Sequence, residues 1–160
     1  MIPADQDLRS RVAAHPFLAG MSDAHLQLLA DCATAHHWGQ DEVLFRAGDP
    51  AKGFFLIESG NVAVEGEKKE GQTVTIDVVA AGEPLGWSWI FEPFVCEYGA
   101  RALEPTGAMF FDAVSLAMHR AADLTLGHEL FKRMSQVMVR RLTAARAKLL
   151  EATNGDVARS

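Results

Sequence analysis

Glycines recur at short intervals through the middle of this chain and divide it into segments too short for helices. Within those segments apolar residues alternate with polar ones or form short runs, which is typical of β-strands. Glycine adopts the positive φ angles of tight turns without steric cost. Short strands with a glycine at each corner predict a β-roll, in which closure hides the sheet edges. The predicted strands lie at 43–45, 54–57, 62–64, 74–78 and 108–111, and the corner glycines are Gly48, Gly53, Gly60, Gly66, Gly71, Gly82 and Gly86.

Helical spacing of apolar residues precedes the roll. A first helix is predicted from Asp5 until Pro16 forces its end, because the residue before a proline is disfavoured in the α region. Ser22 is suited to cap a second helix that runs to about His36, with His36 and His37 capping its C-terminus. We therefore predict N-terminal helices over 5–38 and the roll over 42–112.

Helical spacing returns after the roll. Asp112 is suited to cap a short helix, and a longer helix is predicted from Asp123 to about Ala152, which places C-terminal helices over 113–152 and a tail over 153–160. The long helix carries an apolar stripe that a small roll cannot cover alone. We therefore expect an isologous homodimer through this helix. The stripe consists of Leu130, Met134, Met138, Leu142, Ala145 and Leu149.

Composition fits one folded domain of 160 residues with 49% hydrophobic and 22% charged residues. No apolar run is long enough to span a bilayer, and the N-terminus has no signal-peptide pattern, so we expect a cytoplasmic protein without a membrane span. Cys32 and Cys96 are isolated and indicate reduced thiols rather than a disulfide framework.

Charge is distributed unevenly along the chain. Residues 1–131 hold 8 Lys or Arg against 19 Asp or Glu, whereas 132–148 hold six basic residues and no acidic one. An acidic body argues against binding driven by broad neutralisation of nucleic-acid phosphates. The basic helix face is suited to solvent exposure in a dimer, and an acidic partner, nucleic acid or lipid headgroups remain open.

Five motifs occur in the order found in one known family. The chain resembles the cyclic nucleotide-binding domain family, with the β-roll of catabolite activator protein-like members. The resemblance implies a mainly β fold with flanking helices, a jelly-roll-like double-stranded β-helix and a long C-terminal helix. The motifs are HPFLAGMS at 15–22, DEVLFRAGD at 41–49, FFLIESGNV at 54–62, GEPLG at 82–86 and RALEPT at 101–106.

The phosphate-binding cassette of that family is degenerate here. In members that bind the nucleotide, a glutamate after the cassette's second glycine binds the ribose and an arginine binds the cyclic phosphate. The corresponding positions in this chain are Trp87, which follows Gly86, and Cys96. Glu97 adds a carboxylate that would repel a phosphate. Arg101 is the only cation in this stretch and thus a candidate anion ligand. The resemblance also implies hydroxyl side chains that contact the purine from the long helix, but Ala144, Ala145 and Arg146 stand there, with Thr143 as the nearest hydroxyl.

Aromatic residues crowd this degenerate cassette, and two interpretations remain open. The rings could fill the vacated pocket as core, or they could line a pocket for a different ligand. For the second interpretation the candidate residues are Gly86, Trp87, Ser88, Trp89, Cys96, Glu97, Tyr98 and Arg101.

No enzymatic or metal site is predicted. A metal-binding roll of the cupin type needs histidines in its strands, and none lies between Gly39 and Met118. Cys96 has acidic and apolar neighbours rather than a histidine base. Nine residues follow Glu151 in this sequence, so we expect no DNA-binding domain.

The sequence therefore favours a non-enzymatic regulatory or sensor module without a cofactor. We expect it not to bind cyclic AMP or cyclic GMP in the usual way, and the identity of any small-molecule effector stays open. The alternative is a degenerate roll that acts as a protein-interaction or dimerisation module without a small-molecule ligand.

Overall fold

A computed structural model describes residues 4–159 of the chain and the side chains of residues 8–153. Strands occupy the middle of the chain and helices flank them, as the glycine spacing predicted. None of the helices within residues 4–159 is long and apolar enough to cross a membrane. The helices are α1 (Ala4–Ala14), a short 3₁₀ helix (Pro16–Leu18), α2 (Asp23–Cys32), α3 (Ala113–Ala122) and α4 (Leu124–Arg159).

Within residues 4–159, eight strands form two four-stranded sheets, and every strand pairing is antiparallel. The first sheet has the order β1-β8-β3-β6 and the second has the order β2-β7-β4-β5. The mainly β roll with flanking helices and a long C-terminal helix is thus confirmed. The strands are β1 (Ala33–Trp38), β2 (Val43–Phe45), β3 (Gly53–Ser59), β4 (Asn61–Glu67), β5 (Thr73–Ala80), β6 (Pro84–Leu85), β7 (Gly99–Ala102) and β8 (Thr106–Asp112).

Helix boundaries depend on capping side chains. The Ser22 hydroxyl accepts a hydrogen bond from the His25 amide, and the Asp112 carboxylate accepts one from the Ser115 amide. Both side chains satisfy amide groups that the first turn of a helix leaves unpaired. The two predicted N-caps are confirmed.

The predicted extension of the second helix to His36 is wrong. The helix ends at Cys32, and the next six residues form β1, which pairs with β8 from Ala33 opposite Phe111 to Trp38 opposite Thr106. His36 stacks on Trp38 with ring centroids 5.9 Å apart, so it does not cap a helix. Pairing with a strand distant in sequence outweighed the weak local helix preference.

The C-terminal helix is longer than expected. Helix α4 continues to Arg159 instead of ending near Ala152, and Ser160, the last residue of the predicted tail, lies outside the described residues. Asn154 and Gly155 lower helix propensity, but no proline follows to stop the helix.

The main hydrophobic core lies between the first sheet and the helices. It joins Phe54 and Phe111 to Leu29 of α2, Leu116 of α3 and Leu130 of α4. A smaller cluster around Ile57 and Val62 fills the space between the two sheets. Helix α4 continues beyond Val137, its last residue in the main core, and its next turns border the site described next.

Candidate functional site

A cavity of about 1060 Å³ opens between the roll and the middle of α4. Phe55 and Phe110 of the first sheet and Val64 of the second contribute apolar side chains to its lining. A cavity of this size matches the pockets that enclose small organic ligands. Its remaining lining comes from β2, β5, β6, the segments 49–53, 86–88 and 96–98, and α4 from Met138 to Lys148.

The loop that follows β6 forms one wall of the cavity. Gly86 turns the chain out of β6 with a φ of +95°, a conformation that side chains with a Cβ rarely adopt. From Gly86 to Tyr98, a stretch that the structure describes throughout, the chain forms turns and no helix. Trp87 and Ser88 therefore reach the cavity from irregular backbone.

Backbone hydrogen bonds hold the end of this loop against the segment between β2 and β3. The amides of Gly48 and Ala51 donate to the carbonyls of Cys96 and Phe94, both at 2.8 Å, and the Cys96 amide donates to the Asp49 carbonyl at 2.8 Å. Burial, followed by the charge of Asp49, raises the pKa of the Cys96 thiol. The position expected to hold a phosphate-binding arginine therefore presents an uncharged thiol near neutral pH.

Six of the eight residues singled out in the sequence line this cavity. They come from the two ends of the loop, so the fold brings together residues that lie up to twelve positions apart. The six are Gly86, Trp87, Ser88, Cys96, Glu97 and Tyr98.

Trp89 does not belong to the cavity, which corrects its assignment as a pocket residue. Its indole is buried in the main core, stacked on Phe54 with centroids 5.4 Å apart. The interpretation that the cassette rings fill the vacated pocket is also wrong, because Trp89 alone among them is buried and the cavity remains open. Phe91, Phe94 and Tyr98 are exposed, and of these only Tyr98 lines the cavity.

Arg101 also lies outside the cavity lining, which corrects its assignment as an anion ligand. Its Nε and Nη2 donate to the two carboxylate oxygens of Glu65 at 3.2 and 3.1 Å, and its Nη1 donates to Asp41 at 2.7 Å. These bonds, those to Glu65 first, raise the pKa of Arg101. Strand pairing between β4 and β7 places Glu65 beside Arg101, so acidic side chains satisfy this cation from within the protein.

The cavity lining includes Arg141, which the sequence predicts only as part of the basic face of the long helix. Arg141 lines the cavity, and its Nη2 donates to the Pro84 carbonyl at 2.6 Å. The guanidinium carbon lies 5.8 Å from the centroid of the Trp87 ring. The signal was present in the sequence, because Arg141 follows Met138 by three positions and so lies near the apolar stripe of the helix.

The apolar stripe of α4 divides into three parts. Leu130 and Met134 are buried in the main core of the chain itself, so their assignment to a dimer contact is corrected. Met138, Leu142 and Ala145 line the cavity. The stripe ends at Leu149, which is 67% exposed, as is the neighbouring Leu150 at 62%.

Metal-binding side chains do not gather in the part of the molecule whose side chains are described, since no group of three or more His, Cys, Asp or Glu there could hold an ion.

One known family model matches more than half of this chain. The model described as the cyclic nucleotide-binding domain matches residues 35–119, which include all eight strands except the first two residues of β1. A sequence search of curated proteins finds no match.

Solved structures share the fold at low sequence identity. A cyclic nucleotide-binding domain from Methylobacillus flagellatus KT matches with a TM-score of 0.77 and 20% identity, covering 92% of this chain and 83% of its own. The sensor domain of the transcriptional regulator DNR from Pseudomonas aeruginosa matches with a TM-score of 0.69 and 18% identity, covering 87% and 93%. The catabolite activator protein of Thermus thermophilus matches with a TM-score of 0.67 and 21% identity, covering 86% and 63%.

Proposed function

Because the chain belongs to the cyclic nucleotide-binding domain family, we propose that it is a non-enzymatic sensor module whose cavity binds a small, largely apolar molecule instead of a cyclic nucleotide. The observation that carries this proposal is the open cavity of about 1060 Å³ with aromatic and aliphatic walls. Burial of apolar ligand surface stabilises a complex by roughly 25 cal/mol per Å². A ligand with rings or alkyl groups therefore fits this lining.

The polar groups of the loop argue against a cyclic nucleotide as the ligand. A cyclic phosphate needs a cation or several N–H donors, and a ribose needs an acceptor such as a carboxylate. At the corresponding positions this cavity presents the Cys96 thiol and the Trp87 indole, and Glu97 adds a negative charge beside the thiol. Arg101 is held by Glu65 and Asp41 and does not line the cavity.

Helix α4 would transmit the presence of a ligand. Met138 and Leu142 form part of the cavity wall, while Leu130 and Met134 of the same helix are packed in the core. A ligand in the cavity therefore contacts the helix directly. It would shift the helix between two arrangements to the extent that it binds one of them more tightly. We propose that the exposed end of α4, around Leu149, forms a homodimer and so carries the signal to a second subunit.

Thermal unfolding with candidate ligands tests the proposal. A ligand at about 100 times its dissociation constant adds about 2.7 kcal/mol, or roughly 5–10 °C for a domain of this size. We expect no shift with cyclic AMP, cyclic GMP or a cyclic dinucleotide, and a shift with apolar aromatic compounds such as N-phenyl-1-naphthylamine. A shift with cyclic AMP of the same size as with an apolar compound would contradict the proposal.

A matched pair of helix variants locates the binding site. Ala144 lines the cavity, whereas Ala147 is exposed on the same helix and does not line it. Ala144→Trp should reduce the ligand-induced shift because the indole enters the cavity, and Ala147→Trp should leave it unchanged. Equal effects of the two variants would place the ligand elsewhere.

A second candidate function is an interaction or dimerisation module without a small-molecule ligand. The exposed Leu149 and Leu150 favour it, because adjacent large apolar side chains at a helix surface mark contact surfaces. The same experiment separates the two functions. No thermal shift with any compound, together with concentration-dependent self-association, would support this second candidate.

A further inference from the structure

The charged side chains that line the cavity differ in how many hydrogen bonds and ion pairs they make within the protein. Asp49 accepts a hydrogen bond from the Arg46 amide at 2.8 Å, and Arg141 contacts Pro84 through a single nitrogen. Lys52, Lys148 and Glu97 also line the cavity, and none of the three has an ion-pair partner among the side chains that the structure describes. The cavity lining therefore holds three basic side chains, Lys52, Arg141 and Lys148, and three acidic ones, Asp49, Asp77 and Glu97.

Arg141 is the least exposed of these cations, with a side chain 17% exposed. A guanidinium carries five N–H donors, and the hydrogen bonds of Arg141 to described residues use Nη2 alone. Nε makes only a long ion pair, 3.8 Å from the Asp77 carboxylate, and Nη1 makes no hydrogen bond to a described residue. The Glu83 contact is also long, at 3.5 Å, and both carboxylates are close to half exposed.

The orientation of this guanidinium is fixed from two sides. The bond to the Pro84 carbonyl holds one nitrogen at the end of β6, and the ring of Trp87 lies against the group at 5.8 Å from its centroid. A cation held over an aromatic face and partly shielded from water binds an anion more strongly than an exposed lysine does. Lys148 stands two helical turns further along the same helix and also lines the cavity, which adds to the positive potential on the α4 side.

We infer that Arg141 is the anion-binding residue of this cavity and that the ligand is a flat apolar ring system carrying one oxyanion group. The inference rests on the proposed function, because it assigns the chemical class of the ligand for the same cavity. The ring system packs among the apolar walls, and the oxyanion accepts a hydrogen bond from Nη1 of Arg141, the nitrogen whose N–H groups make no hydrogen bond to a described residue. The anion is thus held from the helix and not from the loop where Cys96 stands.

Two fluorescent probes that share their rings and differ in charge test the inference. The probe 1-anilinonaphthalene-8-sulfonate carries an oxyanion, and N-phenyl-1-naphthylamine has the same anilinonaphthalene body without it. We expect the full chain to bind the anionic probe at least about tenfold more tightly, because a hydrogen bond to a charged group is worth about 1.5–3 kcal/mol. Binding of both probes with equal affinity would overturn the inference and leave the proposed function intact. Failure of both to bind would overturn the proposed function, and the inference with it.

Substitution of the cation supplies the second readout. Arg141→Gln should weaken binding of the anionic probe at least about tenfold and change binding of the neutral probe less than about twofold. Arg146→Gln is the matched control, because Arg146 is exposed on the same helix and does not line the cavity. Retention of full affinity for the anionic probe by Arg141→Gln would overturn the inference.

The location and the fold of the variants are checked in the same titrations. Ala144→Trp should reduce binding of both probes, because the indole narrows the cavity. Exposed apolar residues elsewhere, such as Phe91, are unchanged by this substitution, so the variant distinguishes binding in the cavity from binding at the surface. Undiminished binding to Ala144→Trp would place the probes outside the cavity and overturn the inference. Unfolding temperatures measured without probe identify a variant that is unstable. If Arg141→Gln is unstable, Arg141→Lys, which keeps the charge, replaces it, and we expect a partial loss of affinity for the anionic probe.

Discussion

The indole of Trp89 stacks on the ring of Phe54, with centroids 5.4 Å apart and planes inclined by 25°. Phe54 stacks in turn on Phe111, with ring centroids 4.8 Å apart. Trp89 also lies against Phe131 of α4, with ring centroids 6.0 Å apart. One residue of the loop after β6 therefore joins the first sheet to the long helix. The cavity wall formed by Trp87 begins two residues before this anchor.

Removal of the Trp89 side chain should destabilise the protein strongly. The residue is only 4% exposed, and truncation of a buried tryptophan to alanine costs about 3–5 kcal/mol in free energy of unfolding. Urea denaturation of Trp89→Ala measures this loss. Phe91→Ala, at a side chain that is 56% exposed, should change the free energy by less than about 0.5 kcal/mol. Similar losses for the two variants would contradict the anchoring role of Trp89.

Stability should fall in mild acid because of His15. This side chain is buried, its Nε2 donates to the Ile57 carbonyl at 2.8 Å, and its Nδ1 accepts from the Phe17 amide at 3.2 Å. Burial lowers the pKa of His15 from 6.5, although the bond to Ile57 and the charge of Glu58 oppose the shift. The folded state thus binds the proton less readily than the unfolded state.

The His15 contribution is therefore complete above the unfolded pKa and is lost as the pH falls through the lower folded pKa. Free energies of unfolding measured between about pH 7.5 and pH 5 should decrease toward acid, and His15→Gln should flatten that slope. His128→Gln, at an exposed position of α4, is the control and should keep the slope. An unchanged slope in His15→Gln would assign the acid sensitivity to other groups.

The two cysteines should differ in reactivity. Burial, followed by the charges of Asp31 and Asp112, raises the pKa of Cys32 to about 11, so very little thiolate forms near neutral pH. The pKa of Cys96 is also raised, but this thiol lines the open cavity. Iodoacetamide should therefore modify Cys96 before Cys32, as followed by mass spectrometry of the intact protein.

Cys96→Ser and Cys32→Ser identify the modified position in that experiment. Occupation of the cavity by N-phenyl-1-naphthylamine should slow modification of Cys96 and leave the slow modification of Cys32 unchanged. Equal rates for the two thiols in the folded protein would show that the burial of Cys32 does not control its reactivity.

Local sequence pattern predicts the strands that alternate and misses the strands that depend on a partner. The segment from Val74 to Val78 alternates strictly and was predicted as part of β5. In contrast, Ala33 to Trp38 continues the apolar spacing of α2, and only its pairing with β8, more than sixty residues away, makes it a strand. A pattern within a short window cannot contain that information.

The sequence predicts some of the residues that line the cavity and misassigns others. Motif order located Trp87, Cys96 and Glu97, but the direction of side chains in a loop made of turns does not follow from periodicity. Trp89 therefore entered the core although Trp87, two residues earlier, lines the cavity. Arg101 was misassigned because its partner Glu65 becomes its neighbour only when β4 pairs with β7.

Arg101→Gln should leave the binding of probes in the cavity unchanged. The guanidinium is held by Glu65 and Asp41, and it does not line the cavity, so its loss removes structural hydrogen bonds only. Fluorescence titration of Arg101→Gln beside Arg141→Gln gives the comparison. A loss of affinity for the anionic probe in Arg101→Gln, with unchanged unfolding temperature, would return Arg101 to the set of anion ligands.

Self-association should depend on the end of α4. Leu149 and Leu150 are exposed in the C-terminal part of a helix that continues to Arg159, and a second copy of the same helix would cover them across a two-fold axis. Leu149→Glu places a charge in that contact on both subunits at once, so the repulsion acts twice and sedimentation velocity should show the monomer mass. Leu149 is not part of the cavity lining, and ligand binding should persist in this variant.

Met118→Glu, at an α3 side chain that is 71% exposed, introduces the same charge away from α4 and should leave the dimer intact. A wild-type chain that sediments as a monomer at every concentration, or a Leu149→Glu variant that remains dimeric, would exclude this helix as the interface.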